Sequence, residues 1–479
     1  MSSHSDLCAC WLLGYPSQHM PGSQPSLRRE LGPRDLTLFA IAAITSTRWI
    51  PVAAHAGPGS VTLWLLAAVL FMFPLTIAVA ALVAKYPGAG GLYLWTRQDF
   101  GAWSGFLCFW LCWVGNAFLF PSAAVLYVRA GFSIFGHSLS PLGDNRFYLL
   151  AATLTMVWIA LGTNLIGMKV GKWTENLGGL ATGTVGLLLI VMACLVWTGD
   201  GSATPLHILP KWNWGTINFW AAIAYAMSGM EEPGMMAGEI RDPERTMRRA
   251  GWIASGFVAA FYVLATIAFL VVLPPAKISE VNGFAEVGDR AGFLLHAPWL
   301  SPLLALLVLV SGLGLIGGIG AATSRMPFAA GVDRLLPAAF AKIHPRWGTP
   351  YLSILALGMV SSALLIVYQL GDSVRIAYDE LVSLMVIGGF LPYLFIFASA
   401  WKAGRGLSAL SGGAITLLAL FCSAVPPAEV RNVWLFEGKL AAGAFGMIAT
   451  AWFIYRRGRV GHRAGKPDDL GQRELGGGD

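Results

Sequence analysis

Residues 220–249 read WAAIAYAMSGMEEPGMMAGEIRDPERTMRR. The segment begins as an apolar membrane span. It then places Ser228, Gly229, Glu231, Glu232, Pro233 and Gly234 where the centre of a bilayer would lie. Pro233 has no N–H to donate and its ring clashes with the carbonyl four residues back, so the Gly229 C=O is expected to lose its helical partner. Broken backbone and ionisable side chains at membrane depth are tolerated only where they are buried in protein or line a water-filled cavity. The stretch is therefore read as part of a pathway or binding site. The competing reading is a kinked structural helix whose glutamates pair with other spans.

A second interruption lies at 36–54, LTLFAIAAITSTRWIPVAA, which is apolar except for Thr45, Ser46, Thr47 and Arg48. Pro51 removes the hydrogen bond to the Thr47 carbonyl, and Arg48 is a cation within the span. Two interrupted hydrophobic segments in corresponding positions of two halves point to the substrate site of an inverted-repeat transporter.

Composition sets the class. The chain is 56% hydrophobic and 12% charged, with a mean hydropathy of +0.64, which excludes an ordinary soluble domain. At about twenty apolar residues per span, an all-α polytopic membrane protein of about twelve transmembrane helices is expected. The expected spans are 35–55, 61–84, 102–130, 147–166, 176–197, 217–239, 250–273, 299–325, 350–369, 376–400, 408–425 and 438–455. Of the 32 lysines and arginines, 23 fall in segments on the side of the N-terminus, 8 on the other side, and Arg48 within a span. The positive-inside rule then puts both termini in the cytoplasm. The net charge of +7 follows from this topology and calls for membrane lipid, not nucleic acid, as its surroundings.

The first residues, MSSHSDLCACWLLGYP, have no basic n-region and are not read as a secretory leader; Met20 is an alternative start. Cys8 and Cys10 fall in the N-terminal tail, whereas Cys108, Cys112, Cys194 and Cys422 fall in apolar spans as small fillers. Cys108 and Cys112 share a helix face, but without further ligands they make no metal site. The glycine cluster within 85–97 lacks phosphate-loop spacing and reads as a tight re-entrant turn with aromatic anchors. Asn116 in span three either bonds a neighbouring helix or faces a cavity. Glycine-rich span eight ends in Thr323 and Ser324 and reads as a close-packing surface. A short surface helix is expected at 278–293. Asp379 and Glu380 are read as solvated, and the tail from 456 as basic and disordered. No cofactor motif is present.

Several stretches together resemble the amino acid/polyamine/organocation (APC) superfamily of secondary transporters. They are Gly90-Gly91-Leu92-Tyr93-Leu94-Trp95 followed by Phe100-Gly101; the break from Tyr225 to Glu231; Gly238-Glu239-Ile240-Arg241-Asp242-Pro243-Glu244-Arg245-Thr246; and Ser324-Arg325, Asp333, Leu336-Pro337, His344-Pro345 and Gly348-Thr349-Pro350. The resemblance covers about residues 30–400. It implies a 5+5 inverted repeat of leucine-transporter type, with spans one to five in 35–197 and six to ten in 217–400, followed by two C-terminal helices in 408–455. The tails are 1–34 and 456–479. It also implies alternating access around broken spans one and six. Backbone N–H groups at Thr45, Ser46, Thr47, Arg48 and Trp49 would receive a substrate carboxylate, carbonyls around Ser228, Gly229 and Met230 its ammonium, and Tyr225 would serve in a lid.

The chain departs from the family pattern in two places. Span one carries Arg48, which is suited to clamp a carboxylate or to be neutralised by Glu231 or Glu232. Span five, read as 177–197, lacks the lysine that substitutes for sodium in some relatives. Glu231 and Glu232 then become the coupling candidates, since burial favours a carboxyl that exchanges a proton. Neighbouring helical residues do not share a face, so one glutamate is expected to point at the site and the other toward packing or Arg48. The function these features favour is a secondary amino acid transporter, proton-coupled or exchanging, acting on a small-molecule substrate. A polyamine or organic-amine carrier is the alternative, and a transporter-derived sensor ranks lower. An enzyme is disfavoured, because no nucleophile and base or phosphate loop is found. Neither the substrate nor the oligomeric state follows from these features.

Overall fold

The computed structural model describes residues 27–138, 145–210, 214–280, 282–370, 374–424 and 433–464, with side chains over most of them. The tails with Cys8 and Cys10, and the side chains of Asp379 and Glu380, lie outside the described residues.

Helix α1 (Pro33–Ile44) starts with proline in its first position, where the fixed φ and missing donor do no harm. Asp35 accepts the Gly32 N–H (3.3 Å). The helix stops at the hydroxyl run 45–47, and α2 (Trp49–His55) resumes at 46° to it. The chain continues through α3 (Ser60–Lys85), α4 (Gly91–Phe100), α5 (Ala102–Phe132), α6 (Arg146–Ile166) and α7 (Met168–Asp200). Span six is split into α8 (Trp214–Ala226) and α9 (Glu231–Met235). Then come α10 (Pro243–Val272), the surface helix α11 (Gly283–Leu294), α12 (Leu300–Val332), α13 (Tyr351–Leu370), α14 (Val374–Lys402), α15 (Gly406–Ala424) and α16 (Val433–Ala464).

Among the described residues seven helices are long and apolar enough to cross a membrane, and α1 with α2 gives an eighth as one bent span. Helices occupy the positions of all twelve expected spans, but this measure does not reach twelve. Span six is cut into pieces of 13 and 5 residues, and the apolar part of span nine runs only from Tyr351 to Val367.

Two boundaries differ from the sequence reading. The glycine-rich stretch is a turn at 86–90 followed by a ten-residue helix, α4, which packs on α5 and α9. Span five begins at Met168, directly after Gly167, rather than at 176. Its first two turns carry Lys169, Lys172 and Glu175, polar residues that hydropathy assigns to a loop. At the centre, α1 packs on α7, α10 and α12. The approach of α7 to α12 is close enough that a Cβ on Gly178 would collide with the Gly314 Cα, as expected where small residues let backbones meet.

Candidate functional site

The two breaks have the same local solution. At each, proline denies a carbonyl its donor four residues on, and the N–H three residues on takes its place. Ile50 N–H donates to Thr47 C=O (3.1 Å), and Glu232 N–H to Gly229 C=O (3.1 Å). The expectation that these two carbonyls stand free is thus corrected: a tighter turn, available because the chain leaves the α geometry there, satisfies both. Among the described residues no backbone hydrogen bond reaches the Ser228 carbonyl, and the same holds for the carbonyls of Thr45, Ala226 and Met227. The breaks also touch. Gly229 has φ of +107°, and a Cβ there would lie 3.3 Å from Ile44 Cγ1 and 3.4 Å from its Cα.

Tyrosines from other spans satisfy the exposed backbone. The Tyr262 hydroxyl of α10 accepts the Ser46 N–H (3.0 Å) and donates to the Ser46 carbonyl (3.3 Å), while the Ser46 and Tyr127 hydroxyls are 3.1 Å apart. At the other break the Gly229 N–H donates to Glu231 Oε2 and to the Tyr393 hydroxyl (3.2 Å each), and Tyr393 donates to Glu231 Oε1 (2.5 Å). Nothing local marks these three tyrosines, because an aromatic residue in an apolar span is ordinarily core.

Between the breaks lies a cavity of about 60 Å³, room for roughly two waters at about 30 Å³ each. Its wall holds Ser46, Arg48, Asn116, Tyr225, Ser228, Gly229, Glu231 and Glu232, with Trp49, Cys112 and Tyr393. Thr45, Thr47 and Met230 are buried outside that wall, and the Thr45 and Thr47 hydroxyls have no hydrogen-bond partner.

Arg48 donates to Ser122 (3.3 Å) and its guanidinium sits 4.8 Å from the Trp49 ring centre. It forms no ion pair with either glutamate. Glu231 and Glu232 both line the cavity, where one of the two was expected to point toward packing or Arg48. Glu231 is held by Tyr393 and Gly229. Glu232 Oε1 accepts from Asn116 Nδ2 (3.2 Å), and Glu232 Oε2 is buried without a partner. Asn116 also donates to Thr323 (2.7 Å), so it both bonds its neighbours and lines the cavity. The cavity wall therefore combines a guanidinium with two carboxyl groups. Trp49 and Tyr225 meet edge to face at 6.3 Å.

Toward the end of the bundle where α1 begins, a buried ion pair closes the structure. Arg325 donates to Glu239 through Nε (2.7 Å) and Nη2 (3.1 Å), and through Nη1 to Ala321 C=O (2.6 Å) and Ser324 (2.9 Å). The Glu239 carbonyl accepts the N–H groups of Glu30 and Leu31 (3.0 Å each). Tyr93 and Arg97 hold Asp333 nearby, at 2.5 and 3.1 Å. Sequence motifs named Glu239 and Arg325 without linking them, since 86 residues separate the two. No His, Cys, Asp or Glu cluster able to hold a metal occurs among the described residues.

The fold and its relatives agree with this geometry. MhsT in complex with L-phenylalanine superposes with a TM-score of 0.63 at 15% identity, over 86% of this chain and 99% of that one. That likeness gives the fold, the leucine-transporter type. An uncharacterized transporter of Legionella pneumophila is 26% identical over 456 residues, 90% of this chain and 97% of its own. The glutamate/serine transporter AimA of Bacillus subtilis is 27% identical over 349 residues, 68% of this chain and 63% of its own. The serine/threonine exchanger SteT of the same organism is 26% identical over 349 residues, 68% and 74% of the two chains. The profile of the family described as Amino acid permease matches residues 31–425. The chain belongs to the amino acid permease family, whose members are transporters rather than enzymes.

Proposed function

We propose that the protein moves amino acids across the cytoplasmic membrane by alternating access, coupled to protons or running as an exchanger. The observation that carries this reading is the polarity of the cavity. A substrate with a carboxylate toward Arg48 and Ser46, and an ammonium toward Glu232 Oε2 and the Ser228 carbonyl, meets a complementary charge at each end. Charge-assisted contacts of this kind are shorter and stronger than neutral ones. Glu231, already engaged by Tyr393 and Gly229, holds the break in shape. Trp49 and Tyr225, in edge-to-face contact in the cavity wall, would serve as the lid.

The excess of basic residues on the α1 side supports both termini lying in the cytoplasm, which makes the Glu239–Arg325 end the inner one. Exposed Leu180, Leu187, Val191 and Leu195 on α7 support a face toward lipid. A polyamine carrier would use the two glutamates but would set Arg48 against its cationic substrate. The names of AimA and SteT support serine, threonine or glutamate as the first substrates to try. The test is counterflow into proteoliposomes with L-serine, L-threonine, L-glutamate, L-phenylalanine, L-arginine and putrescine. Uptake of an amino acid is expected; uptake of putrescine alone would overturn this assignment.

A further inference from the structure

Helix α16 ends its apolar span in Trp452-Phe453-Ile454-Tyr455 and runs on as a helix through Arg456-Arg457-Gly458-Arg459 to Ala464. Residues 456–466 hold five lysines and arginines and no acidic residue. Each of the three arginines lies over the aromatic ring one turn before it. The Arg456 guanidinium is 5.0 Å from the Trp452 ring centre, Arg457 is 4.2 Å from Phe453, and Arg459 is 5.7 Å from Tyr455. Helical side chains lean toward the N-terminus of their helix, which for these residues is the direction of the apolar span. The three charges are thus drawn back from water to the depth of an interfacial ring belt, where phospholipid headgroups lie.

Stacking uses only the face of a guanidinium and leaves its N–H edge open for bidentate contact. All three arginines are exposed, and among the described residues none of them enters an ion pair. The rings divide into two kinds. Trp452 and Phe453 are about half exposed, whereas Tyr455 is buried against Trp103 (5.2 Å) and Phe106 (5.6 Å) of α5. Gly458 seats the same turn on the loop after α12, where an added Cβ would collide with the Leu335 carbonyl oxygen. Two residues before Leu335 is Asp333, held by Tyr93 and Arg97. The basic turn is therefore fixed on the end of the bundle that carries the Glu239–Arg325 pair.

We propose that this turn of α16 binds the phosphate of an anionic membrane phospholipid. Arg456 and Arg457 take the phosphate oxygens, Arg459 stands at the rim, and Trp452 and Phe453 meet the upper part of the acyl chains. Arginine forks match phosphate oxygens in pairs, and basic residues next to a span are drawn to an anionic leaflet by about fivefold in binding for each. Two exposed rings beside the guanidinium groups offer nothing to a soluble phosphate, which favours the lipid. Through Gly458 and Leu335 the bound lipid would also steady the segment that holds Asp333. The site requires that α16 cross the membrane and does not depend on which substrate is carried.

The test adds phosphatidylglycerol and phosphatidylcholine of identical chains, in equal amounts, to the purified full-length protein in detergent and reads bound lipid by native mass spectrometry. Wild type is expected to retain phosphatidylglycerol over phosphatidylcholine by roughly tenfold or more, and R456Q/R457Q/R459Q to retain the two about equally. A preference in this variant equal to that of wild type would overturn the proposal. R248Q/R249Q, which removes an exposed basic pair of α10, should keep the wild-type preference; its loss there would place the lipid elsewhere and also overturn the proposal. A second measurement needs no variant. Phosphatidylglycerol should raise the melting temperature of wild type, and the rise should shrink in about 1 M NaCl, where charges are screened beyond about 3 Å. A rise that salt leaves unchanged would contradict the site. Glycerol 3-phosphate, which lacks the chains, should give no rise; one equal to that from phosphatidylglycerol would make the occupant a soluble phosphate ester and overturn the lipid assignment.

Discussion

The Tyr393 hydroxyl donates to Glu231 Oε1 at 2.5 Å while accepting the Gly229 N–H at 3.2 Å, so a residue of α14 holds the break in span six from the side. A hydrogen bond to a carboxylate is worth about 1.5–3 kcal/mol. In Tyr393→Phe the ring contacts with Phe71 and Phe390 persist, and folding should be kept. Counterflow is expected to fall roughly ten- to hundredfold. Wild-type rates from this variant would show that Glu231 needs no such support.

Arg48 sits in the cavity wall with Ser122 as a hydrogen-bond partner. If it clamps the substrate carboxylate, Arg48→Ala should raise the KM for uptake about ten- to hundredfold. Arg48→Lys should recover only part of this, because an ammonium cannot reproduce a planar two-pronged contact. An unchanged KM with a lowered yield of monodisperse protein would instead mark Arg48 as structural.

Gly229 combines φ of +107° with a close approach to Ile44, whose Cγ1 would lie 3.3 Å from an added Cβ. A residue with a Cβ in that conformation is strained by about 1–3 kcal/mol. Gly229→Ala is therefore expected to fold with a lowered melting temperature and to lose most of its transport. In a double-mutant cycle with Ile44→Ala, which removes Cγ1, the two losses of stability should be less than additive; strict additivity would show that backbone strain, and not the Ile44 contact, sets the cost.

How much of this was written in the sequence depends on the kind of signal. Pro51 and Pro233, Arg48 and the paired glutamates contradict the apolar runs around them, and that contradiction located both breaks. The partners were hidden. Tyr127, Tyr262 and Tyr393 look like any buried aromatic residue, and nothing local marks the atoms they reach. The 3.1 Å bonds from Ile50 and Glu232 depend on how tightly each turn winds, which a proline alone does not determine. The start of span five was missed because its charged first two turns read as loop, although Gly167 marks the start of the helix.

The Glu239–Arg325 pair is buried on both sides, at 3% and 0% exposure. Removing one partner of such a pair typically costs roughly 3–5 kcal/mol, because the other charge is stranded. Glu239→Gln should thus lower thermal stability in detergent sharply, and the double variant with Arg325→Met should regain much of it. If the double variant is no more stable than the single, the pair is not what holds this end of the bundle together.

The central claim is that the cavity between the two breaks receives the amino acid. A crystal structure with an amino acid that passes the counterflow test addresses it most directly. The account predicts density between Arg48 and Glu232, with the carboxylate toward Arg48 and Ser46 and the ammonium within hydrogen-bond reach of Glu232 Oε2 and the Ser228 carbonyl. Density outside this cavity, or a substrate lying in it with the two ends reversed, would contradict the account.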